Sequence, residues 1–190
     1  RAQRLKREQM AKRQKLDRQS CEQQAERILK AANIDSWPIR VDRLAKEEGI
    51  KIRYEPLDDE LSGMCFYKDG VPIIGVNSRH APNRQRFTVA HEFGHITMHA
   101  DILKNGAHVD KTITMLRRDP DSAQGVLEIE IQANQFAAAI LMPDFLIRKY
   151  MEENNLDYGL LQDEDVIEEM AKAFKVSSTA LAIRMGTIFK

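Results

Sequence analysis

The sequence has few of the features that mark secreted or membrane-bound proteins. Only two of its 190 residues are cysteine, Cys21 and Cys65, which excludes a disulfide framework and indicates a reducing compartment. No apolar run approaches the roughly 20 residues that a membrane-spanning helix needs, and the chain does not open with a signal-peptide pattern. We therefore expect a cytoplasmic protein that makes no contact with a membrane.

The chain also lacks an overall excess of charge, because 29 Lys and Arg balance 29 Asp and Glu. The distribution is uneven: residues 1–30 carry a net charge of +6 and the remainder carries −6. A basic segment of this kind can bind nucleic acid, but no aromatic residue interleaves these charges to stack on bases. We therefore favour a solvated helix and expect no direct nucleic-acid binding. The alternative, a nucleic-acid-binding module, predicts salt-sensitive DNA binding that is lost when residues 1–20 are deleted.

The pattern of apolar residues predicts an α+β fold, and a hydrophobic content of 43% is enough for a core. Short strands are expected at residues 50–56, 63–67 and 71–76, as a small antiparallel three-stranded sheet. Helices are expected at residues 41–48, 84–99, 125–141, 144–153, 163–174 and 177–188, with a polar excursion at 101–124. We divide the chain into a basic N-terminal helix or arm (1–33), a core (34–155) and a C-terminal helical cap (156–190). Because the chain begins with Arg1, we expect that residues precede it.

The last two predicted helices have the spacing of a helix-turn-helix. Lys175, however, occupies the turn position where such motifs usually have glycine. Residues 151–170 contain eight acidic residues and no Lys or Arg, which would repel a phosphate backbone. We therefore predict that this pair of helices caps the core and does not read DNA.

The strongest chemical signal is the H-E-x-x-H motif of residues 91–95. In a helix of 3.6 residues per turn, His91 and His95 lie on one face, one turn apart, so both imidazoles can approach one tetrahedral zinc ion. Glu92 lies about 100° further round the helix, beside the metal, where it can serve as a general acid and base. The alternative is a helix with merely structural histidines. We predict a zinc site with Glu92 as the catalytic residue.

A catalytic zinc site needs a third protein ligand, and Glu130 is the candidate. On the helix of residues 126–141, Glu130 borders the apolar stripe that faces the core, where an unpaired carboxylate would be costly. A zinc ion would supply its partner; an ordinary ion pair with arginine is the alternative. Asn134, one turn further on and on the same side, could orient Glu130. His99 lies too far along its helix to share the ion, so we expect it behind the ligands or facing the substrate.

These motifs resemble the ImmA/IrrE family of bacterial and phage zinc metallopeptidases. The resemblance is carried by Arg84–His95 together with Glu130–Ala138 and Leu141-Met142-Pro143, and it covers roughly residues 37–188. It implies a zincin-like (gluzincin-like) fold in which a small sheet packs on the active-site helix. It also implies zinc held by His91, His95 and Glu130, with Glu92 as the catalytic base. Some members carry a further C-terminal sensory domain, which we do not expect here.

The resemblance also implies a biological role. Family members typically relieve repression by cleaving a helix-turn-helix repressor of the Xre type, in phage, mobile-element and stress-response circuits. We therefore predict a cytoplasmic zinc-dependent endopeptidase whose partner is such a repressor. A different reading is a regulatory binding protein that keeps the metal site but sequesters its repressor without cutting it. Tyr67, His80 and His108 are candidate oxyanion stabilisers that the sequence does not rank.

Overall fold

The structure is a computed structural model that describes residues 18–103, 108–111, 120–157 and 159–189, with side chains except at 108–111, 120–124 and 162. Residues 1–17, which contain most of the predicted basic arm, lie outside the described residues. The elements, in chain order, are α1 (residues 18–31), α2 (Val41–Glu47), β1 (Lys51–Glu55), β2 (Leu61–Lys68), β3 (Val71–Asn77), α3 (Pro82–Met98), α4 (Ala100–Leu103), β4 (His108–Lys111), α5 (Pro120–Leu141), α6 (Asp144–Glu153), a 3-10 turn (Gly159–Gln162), α7 (Glu164–Phe174) and α8 (Ser178–Ile188).

The strands form one small sheet in the order β1-β3-β2-β4. β2 and β3 are an antiparallel hairpin whose turn residues, Asp69 and Gly70, both have positive φ, the conformation that two-residue hairpin turns require. β4 pairs antiparallel with β2, and β1 pairs parallel with β3. A helix-rich chain around one small sheet confirms the predicted α+β, zincin-like fold class.

The sheet differs from the prediction in two details. It is mixed, not antiparallel, and within the described ranges it has four strands instead of three. β1 is parallel to β3 because residues 56–60 cross the carboxyl end of β3 before β2 begins. Asn77, fully buried at that end, donates from Nδ2 to the carbonyls of Asp58 (3.0 Å) and Leu61 (2.9 Å) and so holds the crossing. Apolar alternation locates a strand but does not identify its neighbour.

The predicted polar excursion of residues 101–124 also contains more regular structure than expected. α4 ends at Leu103, β4 occupies four residues of the segment, and α5 already begins at Pro120. A four-residue strand and a single helical turn are too short to give a periodic signal.

α3 is the central helix of the molecule. Nine consecutive residues, from Thr88 to Ile96, are buried, and a helix buried on all sides must lie between other layers. β2 and β3 pack on one side of α3 and α5 packs on another. Pro82 occupies the first turn of α3, where its missing N–H costs nothing.

The two central helices approach each other closely at Gly94 of α3. A Cβ atom placed on Gly94 would lie 3.1 Å from Cδ1 of Phe136 and 3.2 Å from the Cα of Ala133 on α5. Because the second neighbour is backbone, a side-chain rotation cannot relieve this contact. The glycine therefore sets the separation between α3 and α5.

Replacing Gly94 by alanine is expected to lower the free energy of unfolding by about 1–3 kcal/mol, the usual cost of an extra methyl group in a packed interior. Urea denaturation of the metal-free protein measures this change. Gly186→Ala on α8 is the matched control, since a Cβ there meets nothing within 4 Å and alanine favours a helix. A Gly94→Ala variant as stable as the Gly186→Ala variant would contradict the assigned contact.

The first and last helices pack on the same core. Cys21, Ala25, Ile28 and Leu29 of α1 are buried in one hydrophobic cluster with residues of α7 and α8. Arg184 of α8, also buried, makes a bidentate ion pair with Glu22 of α1 and donates from Nε to the carbonyl of Met142 (2.9 Å).

The domain boundaries that we predict at residues 33 and 155 stay predictions. No helix in the described part of the chain combines the length and apolarity needed to cross a bilayer.

Candidate metal centre

The three predicted metal ligands converge between α3 and α5. His91 and His95, one turn apart on α3, direct their Nε2 atoms to within 3.0 Å of each other. Glu130 of α5 lies opposite, with Oε2 3.3 Å from His91 Nε2 and Oε1 3.3 Å from His95 Nε2. Both histidines are buried, whereas the side chain of Glu130 is 28% exposed. Glu130 is therefore the most exposed member of the group.

These separations suit a single small cation. Ligands placed tetrahedrally about 2.0–2.1 Å from a zinc ion lie about 3.3 Å from one another. The three observed separations, 3.0, 3.3 and 3.3 Å, are close to that value. Two imidazole nitrogens and one carboxylate are also the donor set of a common class of catalytic zinc site, in which the fourth position stays open. The residues present therefore fit a metal ion.

A second layer of side chains contacts the outer nitrogens of both histidines. Nδ1 of His91 lies 3.0 Å from Oδ1 of Asn134, and Nδ1 of His95 lies 3.3 Å from Nδ1 of His99. His99 in turn places Nε2 2.7 Å from Oε1 of Gln132. Asn134 and His99 thus lie directly behind the two histidines. This is one of the two positions that we expected for His99, whereas Asn134 contacts His91 and not, as we expected, Glu130.

Glu92 lies on α3 next to His91 but faces the sheet. The Glu92 side chain is fully buried. A Cβ atom placed on Gly63 of β2 would lie 3.4 Å from Oε1 of Glu92 and 2.9 Å from the carbonyl oxygen of Gly75. It would also collide with the methyl group of Thr88. Glycine at position 63 therefore allows β2 to pass directly over this part of α3. The sheet closes Glu92 off from bulk water.

Cys65 of β2 is a titratable neighbour of Glu92 that sequence reasoning missed. Burial raises the pKa of the Cys65 thiol, and the nearby negative charge of Glu92 raises this pKa further. The thiol therefore remains protonated beside the Glu92 carboxylate. Apolar alternation could have found this contact, because Gly63 and Cys65 share the face of β2 that packs on α3.

Of the three candidate oxyanion stabilisers, the structure describes the side chains of His80 and Tyr67. His80 has its Nε2 3.2 Å from the carbonyl of Asp59, in the loop network around Asn77. Tyr67 is partly buried against the hydrophobic core. The side chain of His108 lies outside the described residues.

Comparison with known proteins relates this chain to metallopeptidases. Residues 45–185 match the peptidase M78 family, described as the IrrE N-terminal-like domain. The chain belongs to this family, which confirms the resemblance to ImmA/IrrE proteins. A metallopeptidase family implies a metal ion, and His91, His95 and Glu130 are the described residues that could hold one.

Two similar proteins illustrate the relationship. The chain is 29% identical to the radiation response metalloprotease IrrE of Deinococcus radiodurans, over 81% of this chain and 42% of that protein. A solved structure of a Mycobacterium tuberculosis transcriptional regulator shares the fold, with a TM-score of 0.61 at 19% identity over 90% of this chain and 48% of that one. The chain thus spans less than half the length of either protein.

Proposed function

We propose that this protein is a zinc-dependent endopeptidase. The observation that carries the proposal is the triangle formed by His91 Nε2, His95 Nε2 and the Glu130 carboxylate, with its edges of 3.0–3.3 Å. Two imidazole nitrogens and a carboxylate that binds through one of its oxygens would leave one tetrahedral position for a water molecule or a substrate oxygen. The name of the Deinococcus relative, a metalloprotease, agrees with this proposal.

Each residue of the candidate site has a separate role in the proposed reaction. His91, His95 and Glu130 would hold the ion, which when bound polarises the scissile carbonyl and lowers the pKa of its water. Glu92 accepts a proton from the attacking water and delivers it to the leaving amine nitrogen. The thiol of Cys65, on β2, stays protonated beside Glu92 and therefore places no second negative charge next to the carboxylate.

We propose a helix-turn-helix repressor of the Xre type as the protein substrate. Support comes from the family to which residues 45–185 belong and from the name of the Deinococcus relative, which links a metalloprotease to a radiation response. A substrate of this class and the free thiols of Cys21 and Cys65 both favour the cytoplasm as the site of the reaction.

The proposal is tested by incubating the purified protein and zinc with the helix-turn-helix protein encoded beside its gene. Intact-mass spectrometry is expected to show two fragments whose masses together equal the intact repressor plus one water. Parallel incubations with a chelator, and with the Glu92→Gln variant, should leave the repressor intact. An intact repressor found in a stoichiometric complex with the zinc-loaded wild type would instead support sequestration and contradict the peptidase assignment.

A further inference from the structure

His99 closes the C-terminal end of α3, one turn beyond His95. Its backbone N–H donates to the carbonyl of His95 (2.9 Å), which continues the helical pattern, and its side chain is buried. The two imidazoles face each other through their Nδ1 atoms at 3.3 Å, and the far nitrogen of His99 meets Gln132 of α5 at 2.7 Å. His95, His99 and Gln132 therefore form one chain of contacts that runs from α3 to α5.

The contact with Gln132, at the outer end of this chain of contacts, decides which nitrogen of each histidine carries its proton. Gln132 presents its carbonyl oxygen, which can only accept, so Nε2 of His99 carries a proton and donates it. A neutral imidazole with a proton on Nε2 has a lone pair on Nδ1. Nδ1 of His95 must then donate to His99, which leaves Nε2 of His95 as a lone pair directed at Glu130 and His91.

His91 is oriented in the same way but in a single step. Oδ1 of Asn134 accepts from Nδ1 of His91 at 3.0 Å, so Nε2 of His91 is likewise a lone pair. Glu130, Gln132 and Asn134 all belong to α5, at positions i, i+2 and i+4. One helix therefore provides a ligand together with the terminal acceptors for both histidines of the other helix.

We propose that His99 and Gln132 are a positioning pair for the metal centre, which holds His95 in the one tautomer that can bind a metal through Nε2. This inference rests on the proposed metallopeptidase function and adds residues that act through His95 without touching the ion. The opposite tautomer of His95 would direct an N–H at Glu130, where it would occupy the place of the cation. Outer partners of this kind orient histidine ligands in many metal sites.

Metal affinity tests the pair without any substrate. His99→Leu removes the acceptor behind His95, and Gln132→Leu removes the group that directs His99. Each variant is expected to bind zinc about 10–100-fold more weakly than the wild type in competition with a chromophoric chelator, the usual effect of losing an outer partner. His99→Asn, whose Oδ1 can take the place of Nδ1, and Gln132→Glu, which keeps an acceptor, should each recover affinity relative to the matching leucine variant.

A second measurement distinguishes a changed orientation of His95 from a general loss of protein stability. The visible absorption of the cobalt(II)-loaded protein reports the ligand set and its symmetry, and this spectrum should change in the two leucine variants and revert in His99→Asn and Gln132→Glu. Gln135→Leu, on the same helix and also partly buried, is the control and should leave affinity and spectrum unaltered. Thermal unfolding of each metal-free variant shows whether it has folded, and Gln132, being only partly buried, is the position at which folding is most readily retained.

The outcomes distinguish this inference from the proposed function. If the wild type binds zinc tightly and the leucine variants bind it equally tightly with unchanged cobalt spectra, the positioning role is overturned and the metal site stands. If the wild type itself binds neither zinc nor cobalt at the His91 site, the proposed metallopeptidase function fails together with this inference. Weaker binding in Gln132→Leu that Gln132→Glu restores supports the pair.

Discussion

Replacing Glu92 by glutamine is expected to reduce cleavage of the repressor by about 10²–10⁴-fold, the usual contribution of a general acid and base. Glutamine keeps the size of the side chain, but its amide cannot take up a proton at neutral pH. The metal ligands are not altered, so zinc should remain bound at one ion per chain. The rate is measured by quantifying repressor fragments, and the zinc content by elemental analysis.

The control for this substitution is Glu47→Gln. Glu47 lies on the exposed side of α2, where it pairs with Arg43 across one helical turn, and its change to glutamine should leave the cleavage rate unaltered. A Glu92→Gln variant that cleaves at the wild-type rate would remove Glu92 from the mechanism. Loss of zinc from that variant would show instead that Glu92 contributes to binding the metal.

Replacing Glu130 by alanine is expected to eliminate stoichiometric zinc binding. The variant loses the carboxylate whose oxygens lie 3.3 Å from both Nε2 atoms, and with it the negative charge that balances part of the charge of the cation. Loss of a direct ligand should exceed the roughly 10–100-fold weakening that follows the loss of an outer partner. Zinc content after dialysis, and competition with a chelator, measure the effect; cleavage should disappear with the metal.

Glu128→Ala provides the matched comparison, since Glu128 lies two residues earlier on α5 and so projects from a different side of the helix. Its zinc content and cleavage rate are expected to equal those of the wild type. If Glu130→Ala retained one zinc per chain after dialysis, the third ligand would have to be another residue, and the proposed site would need to be redrawn around His91 and His95 alone.

The histidines and the glutamate of α3 were predictable because their relationship is local. His91, Glu92 and His95 belong to five consecutive residues of one helix, so helical geometry alone determines which side chains share a face. Glu130 was predictable from the border of an apolar stripe, although nothing in the sequence states how closely α5 approaches α3.

Sequence reasoning did not single out Gln132, for a reason that the structure explains. Gln132 reaches His99 at 2.7 Å, although it does not lie on the same edge of α5 as Glu130. On the helix, Glu130 and Gln132 border opposite edges of the same apolar stripe, and Ala133 lies between them. Because Ala133 meets Gly94 backbone to backbone, α3 sits so close to α5 that side chains from both edges can reach it.

The sequence by itself determined the longer helices and the first three strands, which of their residues are apolar, and which five-residue segment holds the two histidines of the candidate metal site. These properties depend on neighbours within one or two turns of the same element. Only the tertiary structure decided that β1 pairs parallel with β3, that Cys65 lies beside Glu92 and that Gln132 meets His99. Each of these contacts joins different elements, and its distance depends on how closely small residues such as Gly63, Gly94 and Ala133 allow the backbones to pack.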